Sequence, residues 1–216
     1  MRAITKGREP RSLIAHRARV QADYDNYADK DGLRAALVRD QRGLCCYCMT
    51  RVDATRTGMK IEHWRCQSRN AHLELAYSNL LGACLGGSGQ PEDRQHCDTR
   101  KGELDLKFNP ADPDHRIERR IRFEMNGTIG SNDEEFDRQL NDVLNLNLPL
   151  LKNRRENVLR AILDWWKSEK ARLRGPVPDD RLARARARLA GSTGHLAPFG
   201  PVAVWWLDQR LARNAL

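Results

Sequence analysis

Apolar residues recur at helical spacing toward both ends of the chain and lose that rhythm in between. Near the start, SLIAHRARVQADYDNY reads as one helix opened by Pro10 and Ser12. A second helix is predicted from about Lys30 to Arg42, where Leu33, Leu37 and Val38 share a face and Gly43 supplies the stop. From Asn132 onward Phe136, Leu140, Val143 and Leu144 keep i, i+4, i+7, i+8 spacing behind an Asn/Asp cap. A long helix follows in LLKNRRENVLRAILDWWKSEKARLRG, with Leu151, Val158, Leu159, Ile162 and Trp166 as its apolar side. Gly175 to Pro178 break it, and two shorter helices are predicted around 179–190 and 200–213.

The middle of the chain behaves differently. Residues 44–102 carry polar and glycine clusters (SRNAH, GGSGQPEDRQ) with only short apolar pieces between them, too few to build a core from side chains. FNPADPD (108–114) is a turn-rich connector. RIRFEMNGTIG reads as a hairpin, with Asn126-Gly127 supplying the positive φ of a tight turn. These shifts divide the chain into a helical segment, 1–43, a cysteine-rich unit, 44–107, and a hairpin plus helices, 108–216. The expected class is α+β, mainly α, with a small metal-stapled unit embedded in a helical domain. At 216 residues the chain can bury a sound core without disulfides.

Charge and cysteine usage sharpen this picture. The chain has 38 Lys and Arg against 29 Asp and Glu, a net +9, which suits a polyanionic partner, nucleic acid first. The arginines of RLARARARLA (181, 184, 186, 188) spread around a helix, as a solvated face or a phosphate-tracking surface. The opening MRAITKGREP has no apolar run behind it, and no stretch approaches the roughly 20 apolar residues of a membrane span. A cytoplasmic location is expected, with no membrane partner. In that reducing setting six cysteines between positions 45 and 97 read as metal ligands rather than disulfides.

Cys45-x-x-Cys48 follows a helix stop and forms a natural knuckle, while Cys84 and Cys97 make a wider second pair. Together they can supply a closed, all-thiolate structural zinc site. Cys46 and Cys66 compete for a place, and a redox role for Cys45 and Cys48 is the alternative. Between the pairs, KIEHW places Glu62 and His63 side by side near a short strand's end. Asn79 lies further on, and Asp98 directly follows the last cysteine. A zinc module kept only for shape has no use for this set. A His, an Asn and two carboxylates are the parts of a one-metal phosphodiesterase: carboxylate oxygens hold a hard divalent ion, and the imidazole takes a proton from water.

The phrases GLCCYC, KIEHW, YSNLLGAC and HCDTRKG resemble an HNH (ββα-metal) endonuclease of the zinc-stapled kind. That resemblance implies a ββα unit in which Cys45, Cys48, Cys84 and Cys97 hold structural Zn2+. It makes His63 the general base, and Glu62 and Asp98 the ligands of a catalytic Mg2+ or Mn2+. It gives Asn79 the bracing of the loop that positions His63, and puts Lys101 near the phosphate. Glu62 stands where many relatives have Asp, and Asp98 where Asn or His is usual. The long loop between Cys84 and Cys97, with the phrases IEHWRCQS and LNLNLPLLKNRR, is similar to the narrower group of PtuB-like nucleases, subunits of Septu and some retron anti-phage systems. This implies a PtuA-like ATPase partner and products with 5′-phosphate and 3′-hydroxyl ends.

His96 and Arg100 are further candidates for phosphate contact, or solvated side chains. Trp165, Trp166, Trp205 and Trp206 read as core or as a protein interface. Two rival functions remain. One is a non-catalytic zinc module that binds nucleic acid or protein, and the other is the same enzyme acting on RNA, such as a tRNA, rather than DNA.

Overall fold

The computed structural model describes residues 1–214. The chain is helix-rich α+β, with two small two-stranded sheets and eight α-helices among the described residues. None of these helices is long and apolar enough to cross a membrane.

Helix α1 spans only Arg11–Arg17, shorter than its apolar pattern predicts. The next residues spend their polar groups on each other: Asp23 and Asn26 exchange backbone and side-chain hydrogen bonds of 2.7–3.1 Å, and the Asn26 amide caps the Gln21 carbonyl at 2.8 Å. Such local bonds offer the backbone an alternative to the helical ladder.

Helix α2 (Lys30–Gln41) forms as predicted. The Asp29 carboxylate accepts from the Gly32 amide at 2.9 Å and caps its start. Arg42 and Gly43 turn left-handed at its end, with φ of 56° and 75°. The buried Gln41 side chain then holds both peptide groups of Gly82, donating to its carbonyl at 2.7 Å and accepting from its amide at 2.6 Å. This fastens α2 to the first hairpin.

That hairpin pairs β1 (Lys60–His63) with β2 (Leu80–Ala83) antiparallel, with Glu62 opposite Leu81 and His63 opposite Leu80. Gly82 also accepts from the Cys46 amide at 3.0 Å, so the cysteine knuckle, α2 and β2 meet at one residue. A Cβ at Gly82 would lie 2.7 Å from the Met59 methyl carbon, and glycine leaves that room. Helix α3 (Cys97–Lys101) follows, so the unit runs strand, strand, helix.

The chain then makes α4 (Ile117–Arg120) and the second hairpin, β3 (Ile121–Phe123) with β4 (Ile129–Ser131). Its turn differs from the expected two-residue type. Gly127 alone takes positive φ, 79°, and its amide donates to the Glu124 carbonyl at 2.9 Å. This is a type I turn closed by a left-handed glycine, the usual three-residue hairpin loop.

Helix α5 (Glu134–Arg138) is capped by Asp133 and runs on into a π-turn over Gln139–Val143. The long α6 (Pro149–Leu173) starts on proline and ends in a left-handed Arg174. Helices α7 (Asp179–Ala190) and α8 (Gly200–Asn214) close the described chain. One hydrophobic cluster draws on all of these parts, from Leu13, Leu33 and Leu37 through Leu80 and Leu81 to Leu159, Leu182 and Leu207. Trp166 packs edge-on against Trp206 with ring centres 6.0 Å apart. Arg181, Arg184 and Arg186 of α7 are paired with Glu169, Asp180 and Asp208. Only Arg188 of the four has no salt bridge among the described residues.

Candidate metal centre and acidic–histidine cleft

The Sγ atoms of Cys45, Cys48, Cys84 and Cys97 all lie within 4.8 Å of one another. Cys45 to Cys97 is 3.9 Å and Cys48 to Cys84 is 3.6 Å. A tetrahedral zinc with Zn–S bonds of about 2.3 Å sets its sulfurs about 3.8 Å apart. The donor chemistry and spacing therefore fit a structural zinc ion, and all six cysteines are free of disulfides.

Each ligand has a local reason for its place. The turn from Cys45 to Cys48 is closed by the Cys45 amide donating to the Thr50 carbonyl at 2.8 Å, with Met49 at φ 67°. Cys84 leaves the end of β2, and Cys97 opens α3 with a left-handed φ of 57°, its amide donating to the Leu144 carbonyl at 2.9 Å. Within the cluster, hydrogen bonding holds the Cys45 thiol well below its usual range against the opposing cost of burial and brings Cys48 down to about 6, while the bonds to Cys45 and Cys48 push Cys84 up and burial pushes Cys97 up. Thiolate is the form that zinc needs.

Cys46 is buried outside the cluster, and its thiol is pushed up by burial. Cys66 also stands apart, accepting from Arg69 Nε at 3.2 Å.

On the hairpin beside this cluster, Glu62, His63 and Asp98 line one cleft of about 180 Å³, with Cys66, Ser68 and Glu103 around them. A larger cavity of about 690 Å³, between the N-terminus, β3, α7 and α8, contains none of the predicted site residues. His63 is buried, and its Nε2 lies 3.0 Å from the Glu74 carbonyl. A carbonyl can only accept, so the neutral ring carries its proton on Nε2 and keeps a lone pair on Nδ1. Burial pulls the imidazole below its ordinary range, with Lys101 adding to the effect. Tyr24 packs edge-on against the ring at 4.5 Å.

Asn79 holds the loop that runs from β1 to Glu74. Its Oδ1 accepts from the Arg65 amide at 2.8 Å, and its Nδ2 donates to the carbonyls of Arg65 at 3.1 Å and Leu73 at 3.2 Å. The carbonyl that orients His63 is next in the chain after Leu73.

Glu62 is 2% exposed. Burial raises its carboxyl well above the usual range, Asp98 beside it raises it further, and Lys101 opposes both. Asp98 sits in the first turn of α3, with Lys60 Nζ 3.4 Å from its Oδ2. Each carboxylate has one lysine partner, Lys101 for Glu62 and Lys60 for Asp98, and the pair together suits a hard divalent ion, which is commonly held by one or two carboxylates with water and phosphate completing the shell. Their oxygens do not converge with a His63 nitrogen as the four thiols do: the cysteines are the converging group of three or more ligating side chains among the described residues.

The three polar residues expected near the phosphate have partners within the protein. Lys101 is 2% exposed, and its ammonium bonds Glu62 Oε1 at 2.8 Å and the His63 carbonyl at 3.0 Å. His96 Nδ1 lies 3.2 Å from Cys97 Sγ. Arg100 is tied to Glu92, to the backbone carbonyl at 2.9 Å and to the carboxylate at 2.8 Å.

Tyr47 is a site residue that spacing did not single out. It is fully buried, and its hydroxyl donates to Glu62 Oε1 at 2.6 Å. Its position inside Cys45–Cys48 was the available signal, because a knuckle loop has no core of its own to bury an aromatic ring.

The chain is 29% identical over 133 residues to an Escherichia coli protein named as the candidate HNH endonuclease of retron Ec83. The match covers 53% of this chain and 51% of that relative, so it spans about half the relative's length. No protein-family model matches the chain.

Proposed function

We propose that this protein is a metal-dependent endonuclease of the HNH type, hydrolysing nucleic-acid phosphodiesters with His63 as general base. The observation that carries this reading is the buried, neutral His63. Its Nε2 is committed to a backbone carbonyl, and it shares a cleft with the Glu62 and Asp98 carboxylates. Similarity to the retron-associated E. coli protein supports the same class.

In this mechanism Nδ1 of His63 takes a proton from a water molecule as its oxygen attacks phosphorus. The bond to the 3′ oxygen breaks, leaving a 5′-phosphate and a 3′-hydroxyl. Asn79 keeps the Glu74 carbonyl in place and with it the tautomer of His63. Glu62 and Asp98 would hold Mg2+ or Mn2+, which supplies charge stabilisation for the phosphate and the departing oxygen. Zinc on Cys45, Cys48, Cys84 and Cys97 holds the hairpin and α3 together.

The same reading makes the protein the effector of a cytoplasmic anti-phage system, gated by a PtuA-like ATPase. A free cytoplasmic nuclease would damage its own cell, and the half-buried Trp165, Trp166 and Trp205 offer surface for a partner. DNA is the first substrate to test and tRNA the second.

The closed Tyr47–Glu62–Lys101 network favours a second reading, a non-catalytic zinc module, because it satisfies Glu62 without a catalytic metal. Incubation of plasmid DNA and total tRNA with wild type and His63→Ala, with and without Mn2+ and with any co-purifying ATPase, separates the readings. Metal-dependent cleavage lost in the variant supports the nuclease, and the consumed substrate identifies its class. No cleavage of either, with one zinc per chain and the partner present, sinks it.

A further inference from the structure

Tyr47 and Lys101 stand behind the cleft, and the proposed reaction leaves both without a role. Tyr47 lies inside the cysteine knuckle, between two zinc ligands, with 0% exposure. Lys101 lies on α3, the helix that Cys97 opens, and its side chain is 1% exposed. Their polar atoms converge on one oxygen. The Tyr47 hydroxyl is 2.6 Å and the Lys101 ammonium 2.8 Å from Glu62 Oε1. Lys101 also bonds the His63 carbonyl at 3.0 Å, tying the same ammonium to the backbone of the neighbouring cleft residue.

A buried carboxylate needs donors wherever it points, and these sit on one side of it. The Tyr47 hydrogen bond and the Lys101 ion pair both fall on Glu62 Oε1, while the carboxyl also lines the cleft and hydrogen-bonds with that of Asp98 there.

We infer that Tyr47 and Lys101 form a clamp that carries the rigidity of the cysteine cluster into the cleft, pinning Glu62 Oε1 inward and reserving Oε2 for the divalent ion. The inference rests on the metal-site reading above. Both are positioning residues: neither lines the cleft. The clamp gives the thiol cluster a second task, because Tyr47 is placed by Cys45 and Cys48, and Lys101 by the helix that starts at Cys97.

The test is Mn2+ binding to the zinc-loaded full chain, read from the free-ion electron paramagnetic resonance signal, for wild type, Tyr47→Phe, Lys101→Met and Glu62→Gln. Loss of an outer partner of a metal ligand weakens affinity by about 10- to 100-fold. Tyr47→Phe is expected at the lower end of that range and Lys101→Met at the upper end, each with one zinc per chain. In cleavage assays the half-saturating Mn2+ concentration should rise by the same factor, and for Tyr47→Phe the rate at saturating Mn2+ should stay near wild type. A merely structural role would lower that saturating rate through loss of folded protein.

Tyr47→Phe removes a single oxygen, so it keeps the test readable if Lys101→Met does not fold. Weakened Mn2+ binding in Glu62→Gln with wild-type affinity in Tyr47→Phe overturns the clamp alone. Wild-type Mn2+ binding in Glu62→Gln overturns the metal-site reading and the clamp with it.

Discussion

The thiol cluster and the acidic–histidine cleft lean on the same hairpin and are built on opposite principles. The four sulfurs converge within 4.8 Å of one another and, apart from the half-buried Cys84, are buried residues. Glu62, His63 and Asp98 share a cleft of about 180 Å³ and do not converge. A closed, complete ligand set holds shape, whereas an incomplete set leaves positions for water and phosphate. The hairpin joins them, because β1 carries Glu62 and His63 and β2 leads straight into Cys84.

The largest expected effect breaks the first region. Cys97→Ser, or chelation of zinc, removes binding free energy on the order of 10 kcal/mol, comparable to the whole stability of an ordinary domain. The protein should lose its cooperative melt and its one zinc per chain. Cys46→Ala and Cys66→Ala should keep both, and loss of zinc in either would mean that the cluster is drawn from other cysteines.

Next comes the second region. His63→Ala should cut cleavage by about 10²- to 10⁴-fold with zinc content unchanged. Full activity in that variant removes the general base from the mechanism.

Asn79→Ala tests the brace between them. It strands the buried partners that Asn79 satisfies and should cost about 1–3 kcal/mol in denaturant unfolding. The cleavage rate should fall as well, because the Glu74 carbonyl loses its support; an unaltered rate at full folding would limit Asn79 to structure.

The smallest effect is a pH shift. His63 must be neutral to accept a proton, and burial lowers its folded pKa below the ordinary 6.5. The acid limb of the rate should therefore sit below pH 6.5. The same shift makes the unfolded chain the better proton acceptor, so His63 favours folding above the unfolded pKa and loses that contribution as pH falls from there through the lower folded pKa. A limb above 6.5 would show that the ring is not buried in the active form.

Much of this was legible before any coordinates. Helix α2 announces itself through the Leu33–Leu37–Val38 face and Gly43, and α6 through its apolar stripe. All of these act within one or two turns of the chain. Helix α1 falls short of its pattern because the side chains of Asp23 and Asn26 compete locally, a contest that apolar periodicity does not register. The second hairpin was visible in Asn126-Gly127, but its turn type was not, since one positive φ or two depends on how the strands pair.

Residue type and spacing pointed to Cys45, Cys48, Cys84 and Cys97 with Cys46 and Cys66 still competing, and to Glu62, His63 and Asp98 as candidates, because ligand chemistry belongs to the side chain itself. Burial belongs to the packed chain. The resemblance put Lys101 near the phosphate, and the fold buries its ammonium on Glu62 and the His63 carbonyl. Tyr47 drew no reading from the sequence, and in the fold its hydroxyl donates to the same carboxylate, 15 positions away. Long-range partners of this kind exist only once the knuckle, the hairpin and the helix have closed on one another, for a charge or hydroxyl hidden from water must find its partner wherever the fold supplies one.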